Sequence, residues 1–171
     1  MGAGKSTVGP LVADAFGYRF VDLDWLVELR TGMSIPALFA ERGAGAFREA
    51  EALAETTRAE RHVVATGGGS LVQARAMAVA QEAGAVVWLR ASPEAVLARL
   101  GHPASRPMLW DDSGRPLQGE ALLGRVRDLI GRREASYARA DLMVDADGPP
   151  EAVAQAVVEA VRAASESGPS A

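Results

Sequence analysis

The sequence predicts an α/β domain built on a parallel β-sheet. Four short apolar runs, at Arg19–Asp22, 62–66, 85–89 and Leu142–Asp145, are separated by stretches with helical periodicity. The runs are near-continuously apolar, as in strands covered on both faces. Strands that alternate with helices imply crossover connections, and hence parallel pairing. At 171 residues the chain fits one domain, and 49% hydrophobic against 23% charged residues allows a sizeable core.

Taken in order, the chain opens on Met1-Gly2-Ala3-Gly4-Lys5-Ser6-Thr7 and enters a helix over Lys5–Phe16. Pro10 inside it removes a backbone hydrogen bond and predicts a local kink. The strand Arg19–Asp22 ends in Asp22-Leu23-Asp24, followed by helices over 24–30, 35–41 and 44–58. The strand over 62–66 leads into Gly67-Gly68-Gly69 and a helix over 70–83. After the strand over 85–89 comes a helix over 93–100, then an irregular stretch over 102–118, the longest in the chain. Loops of that length inside a compact domain serve as lids or binding loops, and Arg106 and Trp110 within it favour a lid. Helices over 120–138 and 151–164 flank the last strand. The domain thus covers 1–164, with residues 165–171 (Ser-Glu-Ser-Gly-Pro-Ser-Ala) as a disordered tail.

A net charge of −4 argues against a nucleic-acid binder, which carries a basic face. The absence of cysteine excludes disulfides and thiolate metal sites. No apolar run approaches the roughly 18 residues of a membrane span, and no charged-then-apolar leader precedes the fold. The expectation is a soluble, cytoplasmic protein with neither nucleic-acid nor membrane partners.

Lys5 is the only lysine; the other seventeen of the 18 basic residues are arginine. Codon bias accounts for arginine elsewhere but not for the exception. A phosphate loop uses a compact ammonium on a flexible stem as a point charge, a task that the planar guanidinium fits poorly. Gly2 and Gly4 let backbone N–H groups close on phosphate oxygens, and the Ser6 hydroxyl is available to Mg²⁺. The expectation is ATP or GTP binding. The full pattern, G-x-x-x-x-G-K-[ST], starts with a glycine that falls just upstream of Met1, as does the strand from which such a loop hangs. A chain starting at Met1 is therefore expected to be poorly folded or weakly active.

Other candidate residues are open to two readings each. Asp22 and Asp24, at a strand's carboxyl end, suit a metal-bound water and a substrate, or a helix N-cap. Arg48 and Glu51 lie three apart on a helix, either as a steered guanidinium beside Phe39 and Phe47 or as a surface ion pair. Gly67-Gly68-Gly69 admits a ligand closely or makes a tight turn. Arg133, on a helix, reads alone as solvated.

Together, Gly2-Ala3-Gly4-Lys5-Ser6-Thr7-Val8-Gly9, Asp22-Leu23-Asp24, Glu28-Leu29-Arg30-Thr31-Gly32, Phe47-Arg48-Glu49-Ala50-Glu51, Thr66-Gly67-Gly68-Gly69-Ser70, Arg106-Pro107-Met108-Leu109 and Arg133…Tyr137 resemble the shikimate kinase family in order and spacing. The resemblance spans Met1 to about Val161. It implies a P-loop kinase fold like that of nucleoside-monophosphate kinases, a parallel five-stranded sheet flanked by helices, with the first, central strand missing from this chain. The implied reaction moves the γ-phosphate of ATP to the 3-hydroxyl of shikimate. Gly2, Ala3, Gly4, Lys5, Ser6 and Thr7 would form the nucleotide loop, with Lys5 on the β- and γ-phosphates. Ser6 would hold Mg²⁺, with Asp22 behind a metal-bound water. Asp24 would accept a hydrogen bond from the attacking hydroxyl. Arg48 and Arg133 would clamp the substrate carboxylate, Gly68 and Gly69 would line its ring, Arg106 would swing in with the lid, and Arg99 and Pro150 would lie beside the adenine. The implied state is a monomer.

This division suits phosphoryl transfer, where positioning and charge stabilisation dominate. The chain departs from the family pattern at Gly43-Ala44, where Gly-Glu is common, at Glu134-Ala135-Ser136 before Tyr137, and in a longer stretch over 110–119. The rival enzyme is a related sugar-acid kinase such as a gluconate kinase. The rival from another class is a non-catalytic nucleotide-binding module.

Overall fold

A computed structural model describes residues 2–34, 37–38, 60–100 and 107–166. Helix α1 (Lys5–Phe16) buries Val8, Gly9, Val12 and Ala13 along one face. That face rests on helix α6 (Pro150–Glu166), whose Val153, Ala154, Val157 and Val158 recur at helical spacing. Each such aliphatic side chain contributes about 1.5–3 kcal/mol when fully buried. The apolar faces of α1 and α6 therefore make the central core. α1 runs on as one helix through Pro10, whose ring lies on the exposed side.

Strand β1 (Arg19–Asp22) pairs in parallel with β2 (His62–Ala65), Asp22 opposite Ala65. Strand β3 (Val87–Arg90) pairs in parallel with β4 (Leu142–Asp145), Arg90 opposite Asp145. The α/β class and the parallel pairing are as the sequence predicts, but the single five-stranded sheet is not what the structure shows. Among the described residues there are four strands, in two separate pairs. Both pairs rest on one layer, because Val63 of β2 and Val87 and Leu89 of β3 pack against the α1–α6 cluster.

The remaining elements build two smaller cores. Helix α2 (Leu23–Thr31) turns Leu23 and Val27 onto Ala76 of helix α3 (Ala74–Ala83). Helix α4 (Pro93–Arg99) and helix α5 (Gly119–Tyr137) enclose Val96, Leu100, Leu109 and Val126.

Four local differences from the sequence expectation have physical causes. Regular pairing of β3 begins at Val87, because the Val86 amide is drawn to Asp141 Oδ2 at 2.8 Å. The helix expected over 70–83 is broken: Ser70–Val72 is a 3-10 turn, Gln73 is extended at φ −76° and ψ 132°, and α3 starts at Ala74. Ser70 tightens that first turn by donating both its amide and its hydroxyl to the Gly67 carbonyl. Ser165, expected to open the tail, instead belongs to α6, which runs to Glu166, and its Oγ donates to the Val161 carbonyl at 2.9 Å; residues 167–171 lie outside the described residues.

The fourth difference concerns the lid. Pro107–Leu109 forms a 3-10 turn, Trp110 bridges to Pro116, and Leu109 is fully buried. The Asp111 carboxylate accepts from the Ser113 hydroxyl and from the Ser113 and Arg115 amides. These bonds, led by the Ser113 hydroxyl, hold its carboxyl below the usual range. What they add to the turn is present above the ordinary carboxylate pKa and fades as pH falls through the lowered one. The second half of the predicted lid is thus an anchored turn. Residues 101–106 lie outside the described residues, as does most of the pair of helices expected over 35–58. Among the described residues no helix is long and apolar enough to cross a membrane.

Gly9 is the tightest point of α1: a Cβ there would run into the Phe20 ring of β1. Gly9→Ala is expected to destabilise the fold by about 1–3 kcal/mol, roughly 2–4 °C in Tm per kcal/mol for a domain of this size. A thermal melt followed by circular dichroism checks this, and an unshifted Tm would show that β1 yields freely.

Candidate active site

The loop ahead of α1 is shaped by two glycines in the left-handed region. Gly4 is the N-cap residue at φ 89°, and its carbonyl accepts the Thr7 and Val8 amides at 3.0 and 2.8 Å. Gly2 has φ 68°, and a Cβ there would stand 2.9 Å from Val96 Cγ1, so an alanine would meet both strain and α4. No side chain caps α1, and its first turn holds no acid. The positive end of the helix is left for an anion, with Lys5 half-buried beside it.

Asp22 joins this loop to the strand. It is 8% exposed and accepts the Ser6 hydroxyl at 2.6 Å on Oδ2 and the Asp24 amide at 3.0 Å on Oδ1. Of the two readings open from sequence, the helix cap is the one seen: Oδ1 caps α2 through the Asp24 amide, while Oδ2 reaches the loop ahead of α1. A hydroxyl and a carboxylate at this separation are hard oxygen donors that fit Mg²⁺, which takes few protein ligands and completes its shell with water and phosphate. Asp24 stands half-buried in the first turn of α2.

Beyond β2, the triple glycine is pinned through its carbonyls. Gly67 O accepts from Ser70, while Gly68 O accepts Arg133 Nη1 at 2.6 Å and Tyr137 Oη at 2.5 Å. The space in front of Gly69 is open. Arg133 is not solvated, contrary to its isolated reading. The apolar stripe of α5, Leu122, Val126, Leu129 and Ile130, continues through Arg133 and Tyr137 on the same helical face. That stripe was the available signal for Tyr137, which the candidate residues omit.

Arg99 and Pro150 meet at one turn. The Arg99 guanidinium donates to the carbonyls of Ala146, Asp147 and Gly148 at 2.6, 2.8 and 3.0 Å, just ahead of Pro150 at the start of α6. Asp147 closes the same turn by accepting the Ser92 amide at 2.7 Å, the leading reason its carboxyl lies below the usual range. A cavity of about 410 Å³ runs beside the loop, lined by Ala3, Trp88, Leu89, Ile130, Arg133 and Tyr137 among others. Arg48 and Arg106 lie outside the described residues.

The profile of the shikimate kinase family matches residues 1–162. A shikimate kinase of Chlorobaculum tepidum is 41% identical over 148 residues, 85% of this chain and 78% of that protein. A shikimate kinase from Acinetobacter baumannii, solved in complex with shikimate, superposes with a TM-score of 0.84 at 32% identity, covering 99% of this chain and 91% of that one. A gluconokinase from Sinorhizobium meliloti reaches a TM-score of 0.60 at 18% identity, a likeness of fold alone. A profile spanning the chain up to residue 162, together with relatives at about this identity, shows that the chain belongs to the shikimate kinase family.

Proposed function

We propose that this chain phosphorylates the 3-hydroxyl of shikimate from ATP. The observation that carries the reading is the 2.6 Å contact between Ser6 and Asp22, which places the phosphate loop against Asp22-Leu23-Asp24. Lys5 and the amides of the loop receive the β- and γ-phosphates. Ser6 would hold Mg²⁺, with Asp22 behind a metal-bound water, and the ion would supply charge that offsets that of the phosphates. Asp24 orients the attacking hydroxyl by accepting its proton in a hydrogen bond. Arg48 and Arg133 pair with the substrate carboxylate, a task suited to forked guanidinium donors. Gly68 and Gly69 line the substrate ring, Arg106 closes over the phosphates, and the turn held by Arg99 sets Pro150 against the purine. We take the protein to act as a cytoplasmic monomer. Steady-state phosphorylation of shikimate against gluconate tests the reading, and a preference for gluconate would overturn it.

A fifth parallel strand, contributed by chain preceding Gly2, is proposed to lie between β2 and β3. Supporting this, Val63, Val64, Val87, Trp88 and Leu89 remain partly exposed although strands of this composition are ordinarily covered on both faces. The cavity along Trp88 and Leu89 has a largely apolar far wall of Val126, Leu129 and Ile130. An N-terminally extended chain should melt higher and turn over faster than one starting at Met1. Equal melting and turnover would remove the strand.

Lys5 offers a direct probe of the nucleotide site, because the α-amino group is the only other primary amine. MgATP should shield Lys5 from an amine-reactive reagent. A peptide map showing equal labelling with and without MgATP would count against phosphate binding there.

The substrate assignments separate by kinetics. Arg48→Ala loses a charge-assisted bond worth about 1.5–3 kcal/mol, so the shikimate KM should rise roughly ten- to a hundred-fold with little change for ATP. Asp24→Asn should chiefly lower kcat. An unchanged shikimate KM in Arg48→Ala would sink the clamp.

A further inference from the structure

Tyr137 spends its one hydroxyl proton on the Gly68 carbonyl, the same oxygen that Arg133 engages from one turn earlier on α5. A carbonyl oxygen has two lone pairs, so these two donors fill it. The Tyr137 ring is held in turn beside Trp88 of β3, with centroids 6.1 Å apart and planes tilted by 44°. Arg133 has further donors to offer a ligand; Tyr137 has none.

The carbonyl of Gly68 and the amide of Gly69 belong to one planar peptide unit and point in opposite directions. Holding the oxygen toward α5 therefore turns the Gly69 N–H away from α5. The space beside Gly69 is open: apart from the glycine and its two chain neighbours, no heavy atom among the described residues lies within 4 Å of the position a Cβ would take. Between two glycines a peptide plane rotates at little steric cost, so its orientation must be imposed from outside.

We infer that Tyr137 is a positioning residue for shikimate. It locks the Gly68–Gly69 peptide so that the Gly69 amide stays presented to the substrate, and it retains that lock when Arg133 leaves Gly68 for the substrate carboxylate. The inference rests on the proposed role of Arg133 as a carboxylate ligand. Arg133 rests on Gly68 O, aimed at the triple glycine. On binding, Tyr137 alone remains to hold the loop.

The test is Tyr137→Phe in the full chain, which keeps the ring beside Trp88 and removes only the proton. Dissociation constants for shikimate and for ATP are measured by calorimetry, with Arg133→Ala in parallel. The expected result is a shikimate Kd raised about three- to ten-fold, the range of a neutral hydrogen bond, with the ATP Kd unchanged. A purely structural role for Tyr137 would lower Tm and leave the shikimate Kd as it was, or weaken both ligands alike; either result overturns the inference. If Arg133→Ala weakens shikimate and Tyr137→Phe does not, the positioning role fails while the carboxylate clamp stands. If Arg133→Ala leaves shikimate binding intact, the clamp itself fails, and the handover falls with it.

Discussion

The Asp22 carboxylate is the point at which three elements meet. Its backbone closes β1, its Oδ1 starts α2 through the Asp24 amide, and its Oδ2 takes the Ser6 hydroxyl at the head of α1. A carboxylate this buried is costly unless hydrogen-bonded, and here both oxygens are engaged. The 2.6 Å contact with Ser6 has the short length of a charge-assisted O–H···O⁻ bond. Once that bond is made, the phosphate loop has no independent position. It stands where β1 ends, and Asp24 follows two residues later, in the first turn of the next helix. The chemistry proposed for the site is a consequence of that shared corner.

Much of the fold was legible because burial and periodicity leave direct marks. The bounds of α1, β1 and β4 follow from the sequence pattern, since each apolar run coincides with a closed set of backbone bonds. Side-chain interventions were not legible. Asp141 takes the Val86 amide and shifts β3, and Ser70 tightens the turn after Gly67, breaking the expected helix at Gln73. Neither leaves a trace in hydropathy. The sequence could not choose between the two readings of Asp22, because a carboxylate has two oxygens and capping α2 occupies only one of them. Arg133 was misjudged in isolation for a different reason: a charged residue at the end of an apolar stripe is turned inward by helix geometry, whatever its hydropathy. Following that stripe through to residue 137 would have found Tyr137 as well.

Arginine serves two unlike purposes in the described residues. Arg127 with Glu94, and Arg132 with Asp128, are exposed ion pairs of the kind that contributes little. Arg99 and Arg133 instead place their forks on backbone carbonyls, three for Arg99 and one for Arg133. A guanidinium offers five donors in a fixed plane and can brace several carbonyls at once. In the turn 146–148 the Asp147 carboxylate fixes one side by accepting the Ser92 amide, while the three carbonyls are left to an outside donor. Arg99, reaching over from α4, supplies that donor and shapes the turn that leads into Pro150.

These braces also explain how a site can stay assembled across two strand pairs that do not hydrogen-bond to each other. The phosphate loop, Asp22 and the triple glycine belong to α1, β1 and β2. Arg99, Arg133, Tyr137 and the turn before Pro150 belong to α4, α5 and β4. The layer of α1 and α6 joins the pairs from below through dispersion and burial, which are not directional. Above that layer, Gly2 abuts Val96 and Gly68 O receives Arg133 and Tyr137. Only the second of these contacts carries direction, because hydrogen bonds weaken steeply once misaligned. Relative movement of the two strand pairs would be absorbed by the apolar layer, but at Gly68 it would misalign two bonds at once. The triple glycine is therefore where the registration of the two halves is felt first, and the pairing of a guanidinium with a phenol on one oxygen holds that registration through two donors.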